Sequence, residues 1–296
     1  MYKYCSFSEH SITNLLNNKL HMNHYESFND PFECRCEILE GFPDKDPNSS
    51  RFRNILNAWG FDDAHDPCAI ENYEDLVLSL EGTEPNVPLT LETARISCFS
   101  KTPDNLLMWS HYADGLRGFC IEFDRDLLLS NCSDTAGIFE VSYEDKPPIV
   151  DTAVIAVLND QTDYHHEAIS ALHSEMNFFG KDNKPEINAY EEYLKDVFIK
   201  GTELFQKMLA TKPIEWRYEE ELRIISQPKN QDKPDEFLNY PPEAIKCVII
   251  GERMPMQQQQ ALKQILERHP SSVKLKDASR AKSEFNVMVS DARIVI

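Results

Sequence analysis

Glycine is scarce in this chain, with nine in 296 residues. No GxGxxG, GxxxxGK[ST] or GxSxG pattern occurs. The first two patterns bring backbone close to phosphates, and the third sets a serine on a sharp strand-to-helix turn. Their absence argues against a doubly wound nucleotide fold, a P-loop and a hydrolase elbow. Positive charge is also in deficit: 30 Lys and Arg against 50 Asp and Glu give a net charge of −20. Such a chain lacks the clustered cations of a broad non-specific DNA-binding face, although a small basic groove remains compatible. No apolar run approaches the roughly 20 residues that span a bilayer. Met1-Tyr2-Lys3-Tyr4 enters a strand-like pattern with no basic segment leading to an apolar run. Eight cysteines are scattered without a CxxC pair, Cys34 and Cys36 being the closest. The expectation is a soluble cytoplasmic protein with reduced thiols and no membrane partner.

What is present suits a globular chain: 41% hydrophobic and 27% charged residues. Strands are expected over residues 2–7, 20–24, 94–100, 118–124, 139–143, 220–226, 247–251 and 285–289. Helices are expected over 11–19 (with Ser11 as N-cap), 51–82, 104–113, 151–210 and 256–268. Residues 27–33 read as a loop, because Asn-Asp-Pro favours a turn and Pro31 prevents regular helix. Runs of strands broken by helical insertions, without strict βαβα alternation, predict an α+β fold. One domain is expected over 1–296, with mainly helical insertions at about 41–90 and 150–212.

Four segments could carry chemistry. In a strand, alternate residues share a face, so Glu219, Glu221 and Arg223 would point together. Two neighbouring carboxylates perturb each other's ionisation; one can stabilise positive charge while the other orients a hydroxyl or acts as a base. An exposed edge strand paired through Arg223 would give the same pattern. Ser97 and Ser100 could hydrogen-bond a ligand beside a stacking Phe99, or could belong to a core strand. Trp109 and Tyr112, three apart, share a helix face, with His111 on another side. Tyr2 and Tyr4 flank Lys3 on the first strand, as a ligand platform or as core. His165, His166 and His173 lack helical metal-ligand spacing, so no metal is assigned.

Together, Tyr2–Tyr4, Phe28–Glu33, Ser97–Ser100, Leu107–Ala113, Gly118–Asp124 and Trp216–Arg223 resemble a widespread, largely uncharacterised bacterial domain family. Cys5 stands where that family often has Arg. The order strand, short helix, strand at the start, then Ser97–Ser100, then Glu219-Glu220-Glu221, also resembles ADP-ribosyltransferase-type folds. This second resemblance implies a core of two small, mainly antiparallel sheets and NAD as substrate. It implies Glu221 as catalytic carboxylate with Glu219 as its partner. Tyr2, Lys3, Tyr4, Ser97, Phe99, Ser100, Trp109, His111, Tyr112 and Arg223 would surround the NAD. The implied activity is transfer of ADP-ribose to a protein, a nucleic acid or water, in a toxin or anti-phage effector with a possible regulatory partner. Two alternatives stay open: a non-catalytic nucleotide- or partner-binding module, and a metal-dependent hydrolase or nuclease using Glu219, Glu221 and Glu122.

Overall fold

The computed structural model describes residues 1–130, 136–227 and 237–291. The chain forms two compact units. The first joins Met1–Cys34, Thr90–Lys146 and Ala210–Ile296. Its main sheet contains β1 (Tyr2–Cys5), β2 (Arg95–Ser100), β3 (Phe119–Phe123), β4 (Ala136–Glu140), β5 (Glu221–Ser226), β6 (Ile245–Gly251), β7 (Lys274–Arg280) and β8 (Val287–Asp291). The spatial order is β8-β7-β6-β3-β1-β2-β5-β4. Only β6 and β7 run parallel; the other neighbours are antiparallel. The class is α+β, as the interspersed strand and helix patterns predict.

Period-two alternation divides the sheet's side chains between two apolar clusters. Phe119, Ile121 and Phe123 of β3, with Val248 and Ile250 of β6, join Phe99, Ile224 and Leu262 on one face. Cys120, Cys247 and Ile249 join Tyr4, Met108 and Trp109 on the other. A strand covered on both faces reads as a continuous apolar run, which is why β3 and β6 stand out in the sequence. The polar Lys274–Arg280 segment carries no such signal, and strand β7 was not anticipated there.

The sheet is nearly divided at one place. β1 pairs with β3 along its whole length, from Tyr2–Glu122 to Cys5–Phe119. Against β2 it makes a single pair, Tyr2–Ser100. The other end of β2 is bridged instead by Asn23, whose N–H and C=O exchange 2.8 Å hydrogen bonds with Ile96. Where two separate small sheets were expected, one hydrogen-bonded series of eight strands opens between β1 and β2.

Local signals shift some boundaries. The first helix is Glu9–Leu16, and its N-cap is Ser8. Ser11, expected as the cap, sits at the third helical position and completes a reciprocal capping box with Ser8. The expected 104–113 helix is shorter, Leu106–His111, capped by Asn105.

Gly118 lies where two backbones nearly touch. A Cβ there would stand 2.1 Å from the Cys5 carbonyl oxygen and 3.0 Å from the Ala113 backbone. Gly118→Ala is therefore expected to push β1 away from β3 and lower stability by roughly 1–3 kcal/mol. Chemical unfolding would measure this, and an unchanged midpoint would mean the strands separate freely.

The second unit joins Arg35–Leu89 and Pro147–Leu209. It holds helices Ser50–Trp59, Pro67–Leu80, Thr152–Phe179 and Lys184–Leu209, and a short parallel pair, Glu37–Leu39 with Ile149–Asp151. Phe52, Ile55, Leu56, Tyr73 and Val157 form its core. Arg51 ties the pair to the helices through a 2.7 Å ion pair with Asp151. Among the described residues, no helix is long and apolar enough to cross a membrane, and the cysteines are free thiols.

Candidate functional site

The opening between β1 and β2 is the mouth of a cleft of about 190 Å³ within the first unit. Tyr2, Ser100 and Glu221 lie abreast across β1, β2 and β5. All three line the cleft, with Lys3, Tyr4, Cys98, Phe99, Tyr112, Lys212, Glu219 and Glu33 among the others. Lys3 bridges the gap: its ammonium donates to Ser97 Oγ and to the Cys98 carbonyl, both at 3.0 Å. It also stands 4.9 Å from the centre of the Phe99 ring.

The floor is a buried ion cluster. Lys212 Nζ lies 2.7 Å from Glu219 Oε2, 3.1 Å from Glu221 Oε2 and 3.7 Å from Glu33 Oε2. Arg223 reaches Glu33 Oε1 at 2.6 Å and Glu221 Oε1 at 2.9 Å. None of the five side chains is more than 5% exposed. Tyr112 donates its hydroxyl to Glu219 Oε1 at 2.5 Å, and the Glu221 N–H donates to Tyr143 Oη at 2.8 Å.

Strand alternation explains only part of this convergence. Glu221 and Arg223 share a face of β5, opposite Ser100 and Cys98. Glu219 is not in the strand; it ends the 3₁₀ helix Ile214–Glu219. Glu220 then takes a left-handed conformation, φ 44° and ψ 53°, before β5 begins at Glu221. Glu219 nevertheless joins Glu221 at Lys212. Nor is β5 an edge, since β2 and β4 flank it. Lys212 arrives from Thr211–Pro213, which pairs in parallel with Ser142–Glu144 and sets Lys212 opposite Tyr143. Asn105 fixes the remaining wall. Its Oδ1 accepts the Leu107 and Met108 N–H groups. Its Nδ2 donates to the Tyr218 carbonyl at 2.5 Å, joining the helix before Tyr112 to the one that ends at Glu219.

Burial and charge push the carboxyls apart. Burial raises Glu221, but Arg223 and Lys212 together outweigh it and hold that carboxyl down at about 2. Burial also raises Glu33, and there the same two cations do not compensate, so its carboxyl ends above the usual range. Burial opposes the charge on Lys212, yet Glu221, Glu33 and Glu219 together keep it protonated far above neutrality. Burial, then the Glu219 contact, raises the Tyr112 phenol and keeps it a donor.

Of the residues expected around a ligand, Tyr2, Lys3, Tyr4, Phe99, Ser100, Tyr112, Glu219 and Glu221 line the cleft. The other four do not. Ser97, on the opposite strand face from Ser100, is buried as the acceptor for Lys3. Arg223 is fully buried behind Glu221. Trp109 is also fully buried; its indole N–H donates to the Pro103 carbonyl, and Tyr4 packs edge-on at 5.3 Å. His111 is exposed, with its ring against Tyr112 and Tyr218. Tyr4 itself is nearly closed off, and its hydroxyl donates to the Thr102 carbonyl at 2.8 Å.

Two members of the ion cluster, Glu33 and Lys212, were not among the expected site residues. Glu33 ends the Phe28–Glu33 loop, and that segment was the available signal. Glu122, considered with Glu219 and Glu221 for a metal, does not converge with them. It pairs with Tyr2, three strand spacings from Glu221, or roughly 14 Å. Among the described residues, no group of three or more His, Cys, Asp or Glu is placed to hold a metal ion.

No curated protein and no solved structure matches this chain. Residues 108–224, which carry Tyr112, Lys212, Glu219, Glu221 and Arg223, match the model of a family described as "Protein of unknown function (DUF2971)", so the resemblance to an uncharacterised domain family holds over that stretch.

Proposed function

We propose that the cleft binds NAD and cleaves its nicotinamide–ribose bond, passing ADP-ribose to a macromolecule or to water. The observation that carries this reading is the charge of the floor. Three buried carboxylates face two buried cations, an excess of one negative charge when all are ionised. That excess complements the pyridinium of bound NAD and the oxocarbenium character of its ribose during cleavage. As the bond from ribose C1′ to nicotinamide nitrogen breaks, its electron pair neutralises the ring and positive charge moves to the sugar. Glu221, held ionised, stabilises that charge. Tyr2 offers an aromatic face at the mouth, and Lys3 offers a cation for the phosphates. At about 190 Å³ the cleft is smaller than the roughly 300–1,000 Å³ of ordinary ligand pockets. It therefore takes the nicotinamide riboside end and leaves the rest of NAD outside.

The test is nicotinamide release from NAD by the purified protein and by Glu221→Gln, with a thermal melt of each. The wild type is expected to release nicotinamide, and the folded variant to be slower by roughly 10²–10³-fold. A wild type that neither binds NAD nor releases nicotinamide ends this reading.

One observation favours a second reading, a nucleotide-binding module without turnover. Both Glu221 oxygens already have partners, Oε1 in Arg223 and Oε2 in Lys212. On that reading NAD binds, no nicotinamide appears, and Glu221→Gln changes nothing but stability.

A further inference from the structure

We propose that Glu33 is the base of this cleft, taking the proton from the oxygen nucleophile, a water or hydroxyl, that attacks the ribose. The inference rests on the NAD-cleaving reading above. It names a residue outside the Glu-x-Glu segment and fixes the chemical class of the acceptor as an O–H group.

The three carboxylates differ in what their oxygens already hold. Glu219 gives one oxygen to Tyr112 and the other to Lys212. Glu221 gives one to Arg223 and the other to Lys212. Glu33 holds Arg223 through Oε1, and the Cys34 thiol approaches the same atom at 3.9 Å. Its Oε2 is buried with no hydrogen-bond partner, and the Lys212 ammonium stands 3.7 Å from it. A buried carboxylate oxygen without a donor is costly, and a ligand hydroxyl would relieve that cost. Glu33 lines the cleft; its Oε2 is closed to water as the cleft stands, so a small side-chain shift on ligand entry is part of the proposal. A short turn holds it in place: the Glu33 N–H donates to the Asp30 carbonyl, while Asp30 Oδ1 accepts the Phe32 N–H.

The ionisation pattern agrees. Glu33 faces Arg223, Lys212 and Glu221, and burial leaves it easier to protonate than an ordinary carboxyl. Glu221 is shifted the other way. Two carboxyls driven apart can divide the work, one holding its charge and one moving a proton. In the step, the nucleophile oxygen forms a bond to C1′ and the C1′–nitrogen bond breaks. The electron pair of the broken bond stays on nicotinamide, and the nucleophile's proton passes to Glu33 Oε2.

The experiment is the pH profile of nicotinamide release and the NAD affinity of wild type, Glu33→Gln and Glu33→Asp, with melts of each. The wild-type rate is expected to fall on the acid side through a pKa above the usual carboxylate range. Glu33→Gln should bind NAD within a few-fold of wild type, lose roughly 10²–10⁴-fold in kcat and lose that acid limb. Glu33→Asp should keep the limb at reduced kcat. If Glu33→Gln does not fold, the Asp variant decides, and wild-type kcat in it overturns the assignment. Wild-type kcat and acid limb in a folded Glu33→Gln overturn the base and leave NAD cleavage standing. No release by the wild type overturns both.

Discussion

Arg223→Met is expected to lower unfolding stability by roughly 3–5 kcal/mol, the range seen when one partner of a buried ion pair is removed. Arg223 is wholly buried and joins Glu33 and Glu221. Methionine fills much of the same space but leaves two buried carboxylates to share Lys212, which already serves Glu219. The loss therefore comes from the charges left behind more than from the contacts removed. A second substitution separates these terms. Glu33→Gln in the Arg223→Met background removes one of the stranded charges. The double variant should be more stable than the sum of the two single losses predicts. Urea unfolding of the four proteins measures the cycle. A loss under about 1 kcal/mol for Arg223→Met, with additive effects, would mean that water screens the cluster and that its charges do not act on one another.

The same cluster shows how far sequence carries. Alternation along Glu221–Ser226 correctly placed Glu221 and Arg223 on one face, because β5 is regular and six residues long. The Glu219/Glu221 pairing was also legible, but through the wrong geometry. Glu219 comes to the site through a 3₁₀ turn and a left-handed Glu220, and no residue type at Glu220 signals that conformation. Glu33 was marked only by the Phe28–Glu33 segment that it ends, and Lys212 by no signal. Their places depend on contacts spanning long sequence separations: Glu33 to Arg223, and Lys212 to Tyr143 across a three-residue parallel ribbon. Such short strands have no period to detect. Trp109 shows the converse. Its spacing to Tyr112 put both on one helix face, yet only Tyr112 reaches the cleft, because Tyr4 and the Pro103 carbonyl enclose the indole.

Lys212→Met should change the pH dependence of stability as well as its size. The ordinary Glu carboxyl titrates near 4.5, and Glu221 in the folded protein is held at about 2. Between those values the unfolded chain binds more protons than the folded one, so stability rises with pH across that window. The Glu221 contribution is complete above about pH 4.5 and is lost as acid carries it through its folded pKa. A gap of this size corresponds to roughly 3 kcal/mol at neutral pH. Glu33 acts in the opposite sense. Its raised carboxyl costs stability once ionised, and acid relieves that cost, so it cannot be the source of the acid loss. Removing Lys212 takes away one of the two cations that hold Glu221 down. Its folded pKa then moves up towards 4.5, the window narrows, and the stability curve flattens between pH 2 and 4.5. At pH 7 the variant is less stable by roughly 3–5 kcal/mol, because Glu219 loses its cation and Glu221 keeps only Arg223. Urea midpoints from pH 2 to 8 for both proteins measure slope and offset together. An offset with an unchanged acid slope would mean that Lys212 holds Glu219 in place and leaves the ionisation of Glu221 to Arg223 alone.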